Sequence, residues 1–494
     1  MAEFSAPLVI RGRVIEAADL EFGGRREGAH FATPDVRRHL DELVLATPSA
    51  LADLYRLSFE EILDYLAALG ERLSLSANAY LQQAFELSIR VSGLGEDILR
   101  HTYERVGDVF AREAVREIAD RTIGIRYLEG WVEVPLANGC RAAVRAFGAR
   151  SVHIVAGNVP TVSALSIVRN AITRSDAIFK TPSNDPLTAA AIARTMVDMA
   201  PDHPITKHLS VAYWKGGDAA VEEALYQPRN VEKIIAWGGL ASIRHVAKYI
   251  QPGIDLITLD PKLSSTIIGR DAFADEKAMR TAAERVALDV GVFNQEGCLN
   301  ARVVYAETGT DELGLARLNR FGALVWEAIR ALPSHVSSPA RALDRALAEE
   351  LESLRLGSEW HRIIGGTREG GVIVSQIEEP VEFARQLANR VVNLVPVDSL
   401  ETAIRAVNAY TQTIGVYPES LKTQLRDRLA FHGAQRLVSL GYAGNPVFAG
   451  PQDGMEPLRR MCRWIIDESY DPAVVPLASH VPGFRAPDLT GEVP

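Results

Sequence analysis

Between Ser151 and Asp260 the sequence switches repeatedly between two hydrophobic periodicities, and few architectures accept that pattern. The stretches "SVHIVAG", "DAIFKT", "LSVAYWK" and "VEKIIAWGG" are short, apolar and rich in β-branched residues, as buried strands are. Between them, "VSALSIVRNAIT", "PLTAAAIARTMVDMA" and a segment near 219–226 place apolar residues at helical spacing. Strands separated by single helices pair in parallel and are covered on both faces, which predicts an open α/β sheet of the nucleotide-binding type. The alternation recurs over 261–445, with strands at "STIIG", "ARVVYAE" and "RVVNLVPV" and helices at "EKAMRTAAERVAL" and "LETAIRAVNAY", so a second α/β unit is expected.

The remaining chain divides around these units. Residues 34–120 read as helical, and in "SFEEILDYLAALGERL" Ser58 and Glu61 form a capping-box signature. From Ile125 to Ala146 the pattern becomes two extended runs joined by the Asn138-Gly139 turn pair, a hairpin able to pair with another chain. The expected segments are therefore 1–124, 125–150, 151–260, 261–445 and 446–494. A length of 494 residues agrees with two or three domains of about 100–200 residues each.

Charge and cysteine usage exclude several function classes. A net charge of -10 argues against nucleic acid as the main partner. Three cysteines make no disulfide framework, and none has metal-site spacing with a second Cys or His, so no metal is expected and a reducing compartment is. The amino terminus lacks the apolar core of a signal peptide, and no run of 18 apolar residues predicts a membrane span. A cytoplasmic protein is expected.

Open α/β sheets bind ligands where strands end, so the residues after each strand carry the chemistry. In "AGNVP" (156–160), Asn158 follows a strand, where its amide can donate to an oxyanion or satisfy its own turn. In "FKTPSNDP" (179–186), Lys180 ends a strand and can reach a ribose hydroxyl or phosphate, or simply lie in solvent. Ser183 and Asn184 follow Pro182 where an acid would grip an adenine-ribose diol, which leaves room for a 2′-phosphate and favours NADPH over NADH. In "AWGGLASI" (236–243), Gly238 and Gly239 permit close backbone approach to a cofactor, although the chain lacks the full dinucleotide fingerprint.

Of the cysteines, Cys140 at a strand start and Cys462 on an amphipathic helix read as structural. Cys298, in "VFNQEGCLNARVVYAE", follows a helix ending near Gly291 and a polar loop. There a thiol is either a small buried hydrophobe or an accessible nucleophile surrounded by backbone N–H groups.

The order of these motifs resembles a degenerate aldehyde dehydrogenase series. "AGNVP", "FKTPSNDP", "WGG", "TLDPKLSSTIIG" and "NQEGCLNARVVYAE" follow that superfamily's sequence of functional stretches. "GVYPESLKTQLRDRL" and "GPQDGMEPLRRMCRWI" are similar to the endings of its LuxC-type acyl-CoA reductases, the fatty acid reductase component of bacterial luminescence systems. The likeness extends from about residue 35 to 467. It implies an aldehyde dehydrogenase-like α/β fold, with an NADP-binding Rossmann-like domain at 151–260 to which 1–124 adds helices. It further implies a catalytic thiol domain at 261–445, an oligomerisation hairpin at 125–150 and a carboxy-terminal segment returning to those regions.

By the same resemblance Cys298 is the nucleophile and Asn158 the oxyanion donor, assisted by the Cys298 backbone N–H. Lys180 holds the adenosine ribose beside Pro182 and Ser183, while Val155, Ala156, Gly157, Trp237, Gly238 and Gly239 line the cofactor groove. Asp260 falls near the glutamate that oxidising members use as general base, but "DPKLS" replaces "ELGGK", so a water-activating role is in doubt. Loss of that base fits a reductase, which must keep water from its acyl-enzyme until hydride arrives. The implied substrate is a fatty acyl-CoA or acyl-protein thioester, with NADPH (NADH second), an acyl-protein synthetase or acyltransferase as possible partner, and a homo-oligomer. Three rivals remain: a thiol-dependent acyltransferase or thioesterase with no redox step, a catalytically silent scaffold that binds an acyl-activating partner, and an oxidative aldehyde dehydrogenase.

Overall fold

The computed structural model describes residues 2–23, 29–136, 141–259, 262–340, 343–357, 359–366 and 369–470. Two seven-stranded sheets organise it. In the first, five parallel strands run in the order Asp255–Leu259, Lys233–Trp237, Arg150–Ile154, Asp176–Lys180, Leu209–Ala212. Leu8–Ile10 and Arg13–Ile15 extend its far edge in antiparallel fashion. Strand order therefore reverses beside Arg150–Ile154, whose two neighbours come later in the chain on opposite sides. Such a reversal opens a crevice at the carboxyl ends of the strands, because the flanking connections leave in opposite directions.

The second sheet has the order His361–Ile364, Gly371–Ser375, Val391–Pro396, Ala301–Ala306, Leu263–Ile268, Thr411–Tyr417, Arg436–Ser439. Only its first pair is antiparallel. Central strands such as Val391–Pro396 are buried at every position, which explains why they read as continuous apolar runs rather than alternating ones. The 16-residue helix Glu276–Gly291 and the 20-residue helix Glu312–Ala331 cover this sheet through Val286, Val290, Phe321 and Val325.

The expected capping box is present: the Ser58 hydroxyl accepts the Glu61 N–H and the Glu61 carboxylate accepts the Ser58 N–H at 2.7 Å. Helix Phe59–Arg72 then buries Ile62, Leu63, Leu66 and Leu69 against the first sheet's helical layer. The amino-terminal segment is not purely helical, since it also supplies the two edge strands and the small sheet of Phe4–Ser5, His30–Thr33 and Leu20–Gly23.

One extended run was misplaced. Ile125–Glu129 is a short helix, started by Gly124 at φ 88° and held by the burial of Leu128, so the hairpin begins at Val132. Val132–Pro135 and Arg141–Phe147 do pair antiparallel, while the Asn138-Gly139 turn and Cys140 lie outside the described residues. Arg463–Ser469 adds a third strand to the pair. Cys462 is buried at the end of the five-residue helix Pro457–Met461, where burial pushes its thiol up to about 12. That site suits packing.

Candidate active site

Three of the expected motifs converge at one end of the first sheet. Ile154 pairs with Lys180 on one side and with Ala236 on the other, so the turns after these strands are neighbours. Val155 is buried and donates its N–H to the Lys180 carbonyl at 3.1 Å. The Asn184 amide donates to the Gly157 carbonyl at 2.9 Å, locking the first turn onto the second. A side chain at Gly157 would strike Asn184 Oδ1 and Pro182 Cγ, 2.5 and 2.7 Å from its Cβ, whereas one at Gly239 would project into open space. Gly239 also caps helix Leu240–Ala247 without a side-chain hydrogen bond, leaving the first amides of that helix for a ligand. Ala156, Pro182, Ser183, Trp237 and Gly238 are all partly exposed around this crevice.

Lys180 lies behind these turns, its amine 5.6 Å from the Trp214 ring and 6.0 Å from Tyr213. Burial pushes its pKa down to about 8, with the charge of Glu222 opposing that shift. Glu222 is itself buried, accepting from His245 Nε2 at 2.6 Å and from the Gly217 N–H at 3.2 Å. The acid missing after Pro182 thus has a counterpart on helix Ala219–Leu225, already paired with an imidazole.

Cys298 sits across the crevice, between helix Glu276–Gly291 and strand Ala301–Ala306. The approach to it is unusual: Phe293, Asn294 and Gln295 all have positive φ (52°, 50°, 65°), a left-handed run that non-glycine residues hold only under constraint. The constraints are side-chain amides. Gln295 donates to the Ala301 and Val391 carbonyls at 2.8 and 2.9 Å and accepts the Val391 N–H. Asn300 accepts the Gly297 N–H at 3.0 Å and donates to the carbonyls of Asp289 and Val292 at 3.2 and 3.0 Å. Ser264 donates to the Cys298 carbonyl at 2.7 Å. Because Asn300 is fully buried, Asn300→Ala leaves several polar backbone groups unpaired and is expected to lower stability by about 1–3 kcal/mol, measurable by urea denaturation.

Asn158 reaches the same loop, its Nδ2 donating to the Glu296 carbonyl at 3.2 Å, while its Oδ1 is buried without a partner among the described residues. The two halves therefore meet within two residues of the thiol. Gln412 Nε2 lies 3.1 Å from Cys298 Sγ. Burial and the charge of Asp453 push the thiol pKa up; the Gln412 hydrogen bond, Arg302 and the Cys298 N–H pull it down without reversing the direction. Loss of solvation at the sulfur thus outweighs the hydrogen bonds and cations that favour the thiolate. Asp260 lies outside the described residues.

Sequence reading missed Gln412, Asp453, Asn300, Gln295 and Glu222. Gln412 lies between Thr411 and Thr413 in the strand Thr411–Tyr417, and its contact with Cys298 spans 114 positions. For Asp453 a signal existed, since "PQDGM" carries the Asp-Gly pair of a tight turn.

The solved structures that this fold resembles are aldehyde dehydrogenases. Aldehyde dehydrogenase 21 of Physcomitrella patens superposes with a TM-score of 0.71 at 13% identity, covering 95% of this chain and 99% of that one. The NADP-dependent glyceraldehyde-3-phosphate dehydrogenase of Bacillus halodurans C-125, complexed with NADP, gives 0.70 at 13% identity, covering 94% and 99%. Among curated proteins, the long-chain acyl-protein thioester reductase of Aliivibrio fischeri is 30% identical over 425 residues, 85% of this chain and 84% of that one. The protein of the same name from Vibrio harveyi is 25% identical over 470 residues, covering 94% and 93%. A family model described as acyl-CoA reductase (LuxC) matches residues 54–464, and by that match the chain belongs to the LuxC acyl-CoA reductase family.

Proposed function

We propose that this protein reduces a long-chain fatty acyl thioester, carried on CoA or on a protein, to the aldehyde with NADPH, through an acyl group held on Cys298. The observation that carries this reading is the placement of Cys298, on a loop pinned by Gln295, Asn300 and Ser264, opposite three strand-end turns and touched by Asn158. The names of the curated relatives, long-chain acyl-protein thioester reductases, support the substrate class.

The crevice fits a pyridine nucleotide. Gly238 and Gly239 clear the backbone, the open amides of helix Leu240–Ala247 suit an anion, and Lys180 reaches a ribose or its phosphate. Ser183 and Asn184 in place of an acid, with Glu222 already paired to His245, favour a 2′-phosphate. When bound, that nucleotide supplies the hydride.

The chain's own residues do the rest. Cys298, once ionised, attacks the thioester carbonyl and expels the carrier thiolate; in aldehyde release the sulfur leaves with the electron pair of the C–S bond. Asn158 and the Cys298 N–H take the oxyanion, Asn158 through the second hydrogen of the amide that donates to the Glu296 carbonyl. By the same resemblance "DPKLS" stands where oxidising members carry their general base, a change of sequence that disfavours activation of water against the acyl-enzyme. By resemblance the sheet containing Val132–Pro135, Arg141–Phe147 and Arg463–Ser469 is assigned to self-association, and its exposed Ile465 and Ile466, with the exposed Trp131 just before its first strand, support that assignment. Sedimentation of the purified protein tests it.

The activity test mixes protein, NADPH and tetradecanoyl-CoA and follows nucleotide oxidation together with aldehyde and free CoA. CoA release without nucleotide oxidation favours the acyltransferase or thioesterase reading. The cofactor site has its own test. Lys180→Met removes a charge-assisted hydrogen bond worth about 1.5–3 kcal/mol, so the NADPH dissociation constant should rise roughly ten- to a hundredfold in a fluorescence titration. The Lys180 pKa is depressed to about 8, so its charge is present below that pH and lost above it. Wild-type affinity for NADPH should accordingly fall as pH climbs past 8, and the methionine variant should lose that dependence.

A further inference from the structure

We propose that Gln412, oriented by Asp453, is the positioning residue that holds the Cys298 sulfur and stabilises it as a thiolate. The inference rests on the reading of Cys298 as nucleophile and names what acts on it. Gln412 is 7% exposed, and its Nε2 makes two contacts: Cys298 Sγ at 3.1 Å and Asp453 Oδ1 at 2.7 Å. The carboxylate decides which way the amide faces. An ionised carboxylate only accepts, so the NH2 end of Gln412 must point to Asp453, and its second hydrogen is then directed at the sulfur. A turned amide would set its oxygen against the carboxylate.

Asp453 is fixed in turn. Gln452 and Met455 exchange N–H donors and carbonyls at 2.8 and 3.1 Å, closing a tight turn with positive φ at both Asp453 (53°) and Gly454 (74°). Turn chemistry accounts for the Asp-Gly pair but not for a carboxylate aimed at a buried amide. Arg169, buried in helix Thr161–Ile172, holds the turn through Gln452 Oε1 at 2.7 Å, and its guanidinium lies 5.6 Å from the Trp237 ring. A continuous set of contacts thus joins Trp237 of the cofactor crevice to the sulfur. The charged groups around that sulfur are Asp453, Arg302 and Arg436, with Glu296 beside Arg302 and Arg169 beside Asp453.

Gln412 and Asp453 have opposite effects on ionisation, and the experiment exploits the difference. The amide donates to the thiolate and favours it; the carboxylate repels the thiolate while orienting the amide. Full-length protein without substrate or nucleotide is alkylated with iodoacetamide from about pH 6 to about pH 11, and the rate at Cys298 is read by peptide mass spectrometry. Gln412→Leu and Gln412→Met should raise the midpoint by about one pH unit, making alkylation roughly tenfold slower at neutral pH. Asp453→Asn should lower the midpoint.

Gln412 variants with unchanged thermal melting and an unmoved midpoint would overturn the proposal. If neither variant folds, Gln412→Asn, whose shorter amide cannot reach the sulfur, takes their place and should likewise raise the midpoint, an unmoved midpoint overturning the proposal. Alkylation is read on the unacylated enzyme and follows the thiol whether or not that thiol carries the acyl group in turnover, so absence of an acyl adduct on Cys298 defeats the nucleophile reading without deciding this one.

Discussion

Cys298→Ala is expected to lose aldehyde formation almost completely, with turnover falling roughly 10⁴–10⁶-fold, the scale seen when a covalent nucleophile is deleted elsewhere. The reason is that the substitution removes the atom that must bond to the acyl carbon, and no neighbouring group replaces it: Gln412, the group hydrogen-bonded to the sulfur, is an amide. The fold should tolerate the change, because the loop is held by Gln295, Asn300 and Ser264 rather than by the thiol. Intact-mass measurement after mixing with tetradecanoyl-CoA should show one acyl adduct on the wild type and none on the variant, with NADPH affinity unchanged. An adduct of equal yield on the variant would place the acyl group on another residue.

Asn158→Ala should have the next largest effect, a fall in kcat of roughly 10²–10³-fold, as when one donor to a developing oxyanion is removed. Asn158 also donates to the Glu296 carbonyl, so part of any loss could come from a disturbed loop. Two readouts separate the causes. Iodoacetamide reactivity of Cys298 reports loop geometry and should stay within about twofold of wild type, because loss of a single partly exposed hydrogen bond costs only about 0.5–1.5 kcal/mol. Single-turnover acylation reports charge development and should carry the defect. Equal losses in both would reassign Asn158 to holding the loop.

Much of this architecture was legible in the sequence because it is written in local periodicity. The run "EKIIAWGG" becomes the strand Lys233–Trp237 followed by a glycine turn, and Ser58 with Glu61 starts a helix as their spacing requires. Ile125–Glu129 misled because five residues with apolar positions at 125 and 128 fit either period, and the glycine at φ 88° before them settled the matter in three dimensions. The candidate site was half legible. Asn158, Lys180 and the Gly238-Gly239 pair follow strands, and position after a strand is a sequence property. Gln412 and Asp453 reach Cys298 only through the sheet order, which sets Leu263–Ile268 between the strand that follows Cys298 and the strand that carries Gln412, and no window along the chain contains that information.

The three-stranded sheet has a temporal consequence. Arg141–Phe147 pairs on one side with Val132–Pro135, made just before it, and on the other with Arg463–Ser469, synthesised more than three hundred residues later. At translation rates of about 5–20 residues per second, that second edge stays uncovered on the ribosome for roughly 15–60 seconds. Its nascent chain therefore carries an open strand, Arg141 and Arg145 among its residues, through most of its own synthesis, and truncation before residue 463 leaves that edge permanently bare.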